Sequence, residues 1–388
     1  MKYSIITFGC RVNQADSMAI ARDLHARGAV ETTPDDAELV VINSCSVTAT
    51  ADQGVRQTVR RIVRDNPSVR VVITGCYATR RPDEVRQLPN VAHVVTNDAK
   101  DDLVHRLGPS IGLPHHEEQT TAVRYGYGDG PCGDSLSPGT VGRTALTLRV
   151  QTGCDEMCSY CIIPTTRGKG RSRPLNEVVQ QIENAVASGY REVAIAGVHL
   201  GSYGRDLNGS TSLTALVRTL AEWDADVLFR ISSLEPMDCG PAIVDMVAAS
   251  PRLAPHFHLP LQSGADAVLR AMRRPYTASS FAALVTHIRE RIPHASVGSD
   301  VIVGFPGETD AEFKALLEFL REAQLDRVGA FAYSPVGGAK ANELPDPVPE
   351  ELKEDRLERF MEMQARISAA KLQKKIGRTL KVLVDAPA

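Results

Sequence analysis

The sequence predicts an α/β protein with an N-terminal parallel sheet followed by a partial (β/α)6 barrel of the TIM type. Strand and helix signals alternate over residues 2–107, and a second alternating series begins at residue 145. The stretch between the two series is rich in Gly, Pro, His and acidic residues and has little periodicity. A length of 388 residues suits two or three domains with substantial cores.

The first domain is expected over residues 1–110, with a flavodoxin-like or Rossmann-like arrangement. Amphipathic helices, for example over 16–26 and 52–65, fill the gaps between strands, and such βαβ units place helices on both faces of a parallel sheet. The predicted strands are 3–8, 39–43, 70–74 and 91–96. Residues 111–143 are predicted to be a linker.

The second domain is expected over residues 144–375, and its six β/α units predict an open barrel with its chemistry at the C-terminal ends of the strands. The predicted strands are 145–151, 192–196, 228–232, 256–261, 299–303 and 327–332. The predicted helices include 175–188, 213–223, 279–291 and 310–323. A long charged helix over 350–375 follows, and then 379–384 is typical of a single strand, which cannot form a domain alone.

Composition and charge narrow the setting of the protein. The formal net charge of -3 does not indicate a nucleic-acid partner, so any RNA contact must come from local basic patches. The first residues lack a signal-peptide pattern, and no apolar segment is long enough to span a bilayer, so a cytoplasmic location without a membrane partner is expected. Eight cysteines in a reducing compartment indicate metal or redox chemistry rather than disulfides.

Three cysteines lie together on the loop after the first barrel strand and are called the loop cysteines here: Cys154, Cys158 and Cys161. Their spacing is C-x3-C-x2-C, and thiolate is the soft ligand that iron–sulfur clusters use. Three thiolates leave one iron of a [4Fe–4S] cluster open for a substrate. A structural zinc loop is the alternative, but zinc sites usually pair two CxxC units. The spacing is similar to the radical S-adenosylmethionine (SAM) signature, in which the open iron binds SAM.

Three further cysteines each follow a predicted strand of the first domain and are called the rim cysteines: Cys10, Cys45 and Cys76. Neighbouring parallel strands end at one edge of a sheet, so these residues should converge there and hold a second cluster. Three buried apolar cysteines are the alternative. Cys132 and Cys239 have no evident partners and are interpreted as structural or incidental.

Several residues at predicted strand ends of the barrel are candidates for contacts with SAM. They are Gly197, Gln262, Ser263 and Gly304. Gly197 and Gly304 also fit ordinary tight turns, and the sequence leaves both interpretations open. His256 and His258 share one strand face, and a packed or hydrogen-bonded pair is favoured over a metal site.

Basic residues supply the candidates for RNA binding. Arg56, Arg60 and Arg64 stand four residues apart on one predicted helix and therefore share a face. Lys374 and Lys375 belong to the densest basic run, near the end of the sequence. A solvated helix face and a track for phosphates remain equally open interpretations.

Together, the two cysteine sets and several other motifs resemble the methylthiotransferase family of radical SAM enzymes, and the match covers nearly the whole chain. Within the family, the segments 10–14, 46–52 and 167–173 are most like the type that acts on threonylcarbamoyladenosine in tRNA. The motifs are TFGCRVNQ (7–14), NSCSVT (43–48), GCY (75–77), the loop 151–161, RG (167–168), HFHLPLQSG (256–264) and VGFPGET (303–309).

The resemblance implies two [4Fe–4S] clusters and SAM as cofactors. The cluster on the rim cysteines would carry the sulfur to be donated, and one SAM would methylate that sulfur. A second SAM, at the loop cysteines, would give the radical that removes hydrogen from C2 of adenosine 37. An unactivated aromatic C–H offers no acid or base handle, which agrees with radical chemistry. The implied partners are the tRNA anticodon stem-loop and a small electron donor of the flavodoxin or ferredoxin type.

Four alternatives stay open: action on isopentenyladenosine 37, action on an aspartate of a ribosomal protein, a single-cluster radical enzyme, and a non-catalytic iron–sulfur RNA-binding protein. Family members usually end in a small RNA-binding β-barrel, the TRAM domain, and residues 376–388 are interpreted as a truncated remnant of it. The run SPVGGAK (334–340) departs from the family's basic pattern, so a substrate contact is expected to differ there.

Overall fold

The computed structural model describes residues 1–46, 48–108, 110–111, 145–209 and 211–384. These residues form two compact units. Unit 1 contains Met1–Asp155 and Ile162–Tyr190, and unit 2 contains Glu156–Cys161 and Arg191–Val384. Most of the predicted linker, 112–143, lies outside the described residues, and so does Cys132. No helix in the described ranges is long and apolar enough to cross a membrane.

Unit 1 begins with a five-stranded sheet in the order β2-β1-β3-β4-β5, in which all neighbouring strands are parallel. This order is that of flavodoxin-like folds, with the reversal of strand order between β1 and β3. The elements are β1 (Lys2–Thr7), α1 (Arg11–Ala26), β2 (Val30–Glu31), β3 (Leu39–Ser44), α2 (Ala49–Asp65), β4 (Arg70–Gly75), α3 (Cys76–Arg80), α4 (Pro82–Arg86), β5 (Val91–Val95), a 3-10 turn (Lys100–Asp102) and α5 (Leu103–Leu107).

Both faces of this sheet are covered, and β3 shows how. Its residues alternate between two cores: Leu39 and Val41 pack with α1 and α5, whereas Val40 and Ile42 pack with α2 and α3. The whole strand is buried, as expected for a central strand of a parallel sheet. The predicted doubly covered parallel sheet is confirmed.

Unit 1 also contains the first strand of the predicted barrel and the elements that follow it. A short antiparallel pairing joins this strand, β6, to β7, with Gln151 opposite Ser172. The elements are β6 (Ala145–Thr152), α6 (Ile163–Arg167), β7 (Arg171–Ser172) and α7 (Leu175–Ala187).

Unit 2 contains the parallel pair β8-β9 and the parallel group β10-β11-β12, which form a partial barrel with helices outside. Leu234 after β9 donates its N–H to His258 of β10, which links the two groups. The elements are β8 (Glu192–Gly197), α8 (Leu213–Ala221), β9 (Leu228–Ile231), α9 (Pro241–Ala249), β10 (His256–His258), α10 (Asp266–Ala271), α11 (Ala278–Arg291), β11 (Ser296–Val303), α12 (Asp310–Ala323), β12 (Arg327–Ala332) and α13 (Glu350–Gln373), with 3-10 turns at Leu200–Ser202, Pro236–Asp238 and Lys340–Glu343.

Several element boundaries differ from the prediction. Helix α1 begins at Arg11 rather than at residue 16, because its first turns bury the polar Asn13 and Asp16 and so lack an apolar periodicity. Strand β10 ends at His258 rather than at residue 261, because Pro260 has no N–H to donate to a neighbouring strand. Helix α13 ends at Gln373, two residues before the predicted end.

The predicted strand over 379–384 is wrong, since residues 378–384 form neither helix nor strand. A strand needs a neighbour to pair its N–H and C=O groups. In the described ranges the apolar side chains here are exposed instead, by 61% at Leu380 and 75% at Val382. The interpretation of 376–388 as a TRAM remnant finds no support in 376–384, and the last four residues lie outside the description.

Candidate active site

The rim cysteines lie at the carboxyl ends of β1, β3 and β4, which are neighbours in the sheet. The register pairs Thr7 with Asn43 and Asn43 with Thr74, so the three strands end level with one another. Cys10 stands at the N-cap position of α1, without a side-chain capping hydrogen bond, and Cys76 begins α3. The reversal of strand order between β1 and β3 is where such sheets bind ligands. The structure therefore places the rim cysteines at the edge that the sequence predicted.

Backbone geometry brings Gly9, the residue before Cys10, close to Cys45. Gly9 has φ +92°, and a Cβ there would lie 2.6 Å from the Sγ of Cys45. Only glycine fits so close to the sulfur with this backbone conformation. Asn13 joins the same strand ends, because its Nδ2 donates to Phe8 O at 2.8 Å and to Ser44 O at 3.1 Å.

A buried cluster of charges lies in the same unit and is called the Asp16 network: Asp16, Lys100, Arg149 and Arg167. Lys100 Nζ is 2.9 Å and Arg167 Nη2 is 3.0 Å from Asp16 Oδ2, while Arg149 Nη1 is 2.8 Å from Oδ1. Burial alone would raise the pKa of Asp16, but the three cations hold it well below its usual range. The carboxylate is therefore ionised and anchors all three.

Two polar contacts connect this region to Cys76. Asn97 Nδ2 lies 3.6 Å from the Cys76 sulfur and also donates to Thr166 O at 2.9 Å. Burial opposes the charge on Arg167, yet Asp16 and the thiolates of Cys76 and Cys10 raise its pKa. Arg167 is thus a buried cation within electrostatic reach of two rim cysteines.

The loop cysteines belong to a segment that continues from unit 1 into unit 2. In unit 1, Cys154 N donates to Gly168 O at 3.0 Å. In unit 2, Cys161 N donates to Cys158 O at 3.2 Å, and Ser159 binds the end of α10 through Met272 O at 3.2 Å. Backbone hydrogen bonds therefore order each part of the loop.

Arg274 is a site residue that the sequence did not predict. Its Nη1 donates to Cys158 Sγ at 2.9 Å, and its guanidinium forms an ion pair with Glu235. The Arg274 side chain is only 2% exposed and stacks over the ring of Tyr276 at 5.1 Å. Burial opposes its charge, but Glu235 raises its pKa, so the group stays cationic beside the sulfur.

The four candidates for SAM contact all lie at the carboxyl ends of unit 2 strands. Gly197 ends β8, Gln262 and Ser263 follow β10, and Gly304 follows β11. Gln262 has φ +67°, an uncommon conformation that backbone bonds to β11 maintain. Gly304 donates its N–H to Glu308 at 2.9 Å, which supports the turn interpretation for this residue. Contact with SAM stays a prediction for all four.

Two histidine sites are hydrogen-bonded. His258 Nε2 lies 3.0 Å from Asp300 Oδ2, as the hydrogen-bonded interpretation of this strand predicts. His199 is 3% exposed and lies 3.1 Å from Asp238 Oδ2, next to Gly201, where a Cβ would overlap the same carboxylate. Cys239 beside it is buried, and burial raises the pKa of its thiol to about 12, which suits a structural role.

The predicted RNA-binding residues divide between the two units. On α2, Arg56 is tied to Tyr77 and Glu84, whereas Arg60 and Arg64 are exposed. Lys374 and Lys375 are exposed just after α13 in unit 2. The three arginines thus lie on one helix of unit 1, and the two lysines follow the last helix of unit 2.

Each cysteine set offers three thiolates, the soft donors that iron–sulfur clusters use. Among the described residues, no three His, Cys, Asp or Glu side chains converge on a point that could hold one ion. A [4Fe–4S] cluster instead takes each thiolate on a different iron, so its ligands surround a volume. Three soft donors at one sheet edge, with buried cations nearby, match that requirement.

Two family patterns match the chain. Residues 2–97 match a family described as Uncharacterized protein family UPF0004, and residues 148–320 match the Radical SAM superfamily. The first covers the sheet with the rim cysteines, and the second covers the loop cysteines and most of the partial barrel.

Curated relatives match nearly the full length. The threonylcarbamoyladenosine tRNA methylthiotransferase MtaB of Thermotoga maritima is 35% identical over 98% of this chain and 86% of that protein. The ribosomal protein uS12 methylthiotransferase RimO of Thiobacillus denitrificans is 36% identical over 98% and 85%. A tRNA-2-methylthio-N(6)-dimethylallyladenosine synthase of Pelotomaculum thermopropionicum is 32% identical over 99% and 86%.

Among solved structures, the radical SAM methyltransferase TsrM from Kitasatospora setae is similar, with a TM-score of 0.61 and 15% identity over 87% of this chain and 75% of that one. This likeness supports the fold, and the full-length relatives supply the family. Relatives with different substrates are similarly identical, so identity alone does not choose the substrate. The chain belongs to the methylthiotransferase family of radical SAM enzymes, whose cofactors are SAM and two [4Fe–4S] clusters.

Proposed function

We propose that this methylthiotransferase adds a methylthio group to C2 of N6-threonylcarbamoyladenosine 37 in tRNA. The threonylcarbamoyladenosine tRNA methylthiotransferase of Thermotoga maritima supports the proposal. So do the segments 10–14, 46–52 and 167–173, which resemble the threonylcarbamoyladenosine type of the family. RimO relatives of similar identity make the ribosomal protein aspartate the second candidate.

The exposed arginines of α2 carry the choice of RNA over protein. Helix α2 begins four residues after Cys45 and presents Arg60, Arg61 and Arg64 to solvent. Arginine pairs with phosphate in a bidentate manner, so this face suits the backbone of an RNA stem-loop. A ribosomal protein that itself binds RNA is expected to be basic and would gain little from such a face.

The chain's own residues have distinct tasks in this reaction. Bound at the two sites, SAM and the clusters supply the radical and the sulfur that the transfer needs. Arg274 holds the position of Cys158 through its hydrogen bond, and Asn97 contacts Cys76. The missing side chain of Gly9 leaves room for Cys45 beside the residue that precedes Cys10. A one-electron donor of the flavodoxin or ferredoxin type is the expected partner, in the cytoplasm.

Mass spectrometry of tRNA nucleosides tests the proposal. Nucleosides from a strain that lacks this gene are compared with those after complementation by the wild-type chain and by its Cys154→Ala variant. We expect methylthio-threonylcarbamoyladenosine to disappear in the deletion strain, return with the wild-type chain and stay absent with the variant. The uS12 protein is weighed intact in the same strains.

Every other outcome of this experiment favours one of the alternative functions. Loss and return of methylthio-isopentenyladenosine would move the substrate to the other tRNA base, and a mass change in uS12 alone would favour the aspartate. If all three products are unchanged, SAM cleavage by the purified protein decides. No cleavage would support the non-catalytic interpretation.

A further inference from the structure

Two buried cations in unit 1 share a single carboxylate. The side chains of Lys100 and Arg167 are each 2% exposed, and the ion pairs of both, in the part of the chain that is described, go to Asp16. Their other polar partners are neutral: Lys100 binds the amide of Asn43, and Arg167 binds the amide of Asn13 and the hydroxyl of Thr152. Arg149 also uses Asp16 but has a second carboxylate, Asp101, at 2.6 Å.

This arrangement leaves positive charge buried in excess. A buried charge without a counter-charge is strongly unfavourable, because the protein interior solvates it poorly. One ionised carboxylate cannot neutralise both Lys100 and Arg167 while it also binds Arg149. Another anion close to these cations would balance the region.

The rim cysteines supply that anion when they are thiolates. Burial disfavours the charge of both cations and lowers the pKa of Lys100, whereas negative charge on Cys76 favours the charged form of both, and negative charge on Cys10 favours that of Arg167. The geometry agrees, because Lys100 binds Asn43 at the end of β3, two residues before Cys45. Arg167 likewise binds Asn13, which joins the strand ends next to Cys10 and Cys45.

We propose that Arg167 and Lys100 compensate the negative charge of the cluster on the rim cysteines and thereby raise its reduction potential, with Asp16 holding both cations in place. Adding one electron makes such a cluster more negative, and a nearby fixed positive charge stabilises that form. Arg167 and Lys100 are positioning residues in this role, since they act through the cysteines. The inference rests on the rim cluster of the family and not on the choice of substrate.

The test uses the full chain with the three loop cysteines changed to Ala, so that only the rim cluster is present. After anaerobic reconstitution, a reductive titration followed by electron paramagnetic resonance gives its potential. Arg167→Gln and Lys100→Gln remove the two cations. Arg149→Gln is the matched control, because it removes a buried cation of the same network that has two carboxylate partners, Asp16 and Asp101. Burial opposes the charge of Arg149, and these two carboxylates raise its pKa.

In Arg167→Gln, we expect the reduction equilibrium to move about tenfold toward the oxidised cluster, which is about 59 mV for one electron. Lys100→Gln should shift it in the same direction, Arg149→Gln clearly less, and Arg167→Lys should keep most of the parent potential. An unchanged potential in Arg167→Gln, or an equal shift in Arg149→Gln, would overturn the proposal.

Cluster assembly gives a second readout if a variant binds iron poorly. Iron lost in Arg167→Gln and regained in Arg167→Lys supports charge compensation, whereas iron lost equally in both overturns it. The proposed function is tested by a separate measurement. If the methylthio nucleosides are missing, the proposed function fails, but the measured potentials still test the role of Arg167 and Lys100. If the parent protein, which has only the rim cysteines, holds far fewer than about four irons per chain, no rim cluster forms and the proposal is overturned.

Discussion

The two cysteine sets are built in opposite ways. The loop cysteines lie within eight consecutive residues, and a buried arginine donates directly to Cys158 at 2.9 Å. The rim cysteines come from three separate strand ends, and Cys10 and Cys45 are 35 residues apart in sequence. The buried cations near the rim, Lys100 and Arg167, bind Asp16 and neutral polar groups. None of their described hydrogen bonds goes to a rim sulfur.

This difference suggests how each set keeps its geometry. In the loop, Cys161 donates its backbone N–H to Cys158 O, so one backbone contact and a single side-chain donor orient Cys158. The rim depends on the register of β1, β3 and β4, on glycines that let sulfur approach backbone, and on a shared charge network. The rim should therefore be sensitive to changes in backbone packing, and the loop to loss of its arginine.

Gly9→Ala should give the largest effect and tests the packing of the rim. A Cβ would lie 2.6 Å from Cys45 Sγ, so the variant must move the strand ends apart. We expect iron at the rim to be largely lost and the free energy of unfolding to fall by about 3 kcal/mol, from left-handed strain and the clash together. Iron analysis and chemical denaturation measure both.

The matched control is Gly28→Ala. Gly28 has φ +76° but nothing within 4 Å of the added Cβ, so the variant carries the backbone strain without the clash. We expect a loss of about 1–2 kcal/mol and full iron binding. Equal iron loss in the two variants would contradict the packing role of Gly9.

Arg274→Gln tests the loop in the same way. It removes a charged hydrogen bond to Cys158, which is typically worth about 1.5–3 kcal/mol, and leaves Glu235 without its partner. We expect SAM cleavage to 5′-deoxyadenosine to fall roughly ten- to 150-fold if that energy is lost from the rate-limiting barrier, with the rim iron retained. The double variant Arg274→Gln, Glu235→Gln separates loss of the bond to Cys158 from the cost of an unpaired Glu235. If the double variant is more stable than Arg274→Gln but cleaves SAM no faster, the contact with sulfur is supported.

Cys239 provides a cysteine outside both sets. Burial raises the pKa of its thiol from 9.0 to about 12, so above pH 9 the unfolded chain loses this proton before the folded chain does. We expect stability to fall as pH rises from 9 towards 12, by up to about 1.4 kcal/mol per pH unit from this group. Chemical denaturation at several pH values gives the difference in unfolding free energy between the wild-type and Cys239→Ala proteins. This difference should be constant below pH 9 and change above it. A difference that stays constant above pH 9 would contradict the burial effect.

Asn97→Ala should have the smallest effect. The contact of its amide with Cys76 is long, 3.6 Å, so we expect a change of about 0.5–1 kcal/mol in cluster energetics, or a few-fold shift in the reduction equilibrium. The same titration as for Arg167 measures it. A shift as large as that of Arg167→Gln would mean that hydrogen bonding rather than charge controls the rim cluster.

The sequence predicted the positions of both cysteine sets for physical reasons that act locally. Strand signals ending just before Cys10, Cys45 and Cys76 were enough, because parallel strands share an edge. Chain spacing alone grouped the loop cysteines. The long amphipathic helices α2, α7 and α12 were predicted to within three residues at each end, since apolar periodicity is strong there.

The supporting residues could not be predicted in that way, because their partners are distant in sequence. Arg274 is 116 residues from Cys158, and Lys100 is 84 residues from Asp16. Buried charges also break the apolar pattern, which is why α1 was predicted to begin at residue 16 instead of Arg11. One signal was present: Cys10, Asn13 and Asp16 recur every three residues, so on a helix they share one face.

Iron counting in three proteins tests the central claim, that each cysteine set holds its own cluster, most directly. The proteins are the wild-type chain, the chain with the rim cysteines changed to Ala and the chain with the loop cysteines changed to Ala, all reconstituted anaerobically. Two clusters predict about eight irons per chain in the wild type and about four in each variant. Wild-type protein with about four irons, unchanged when the rim cysteines are replaced, would contradict the account.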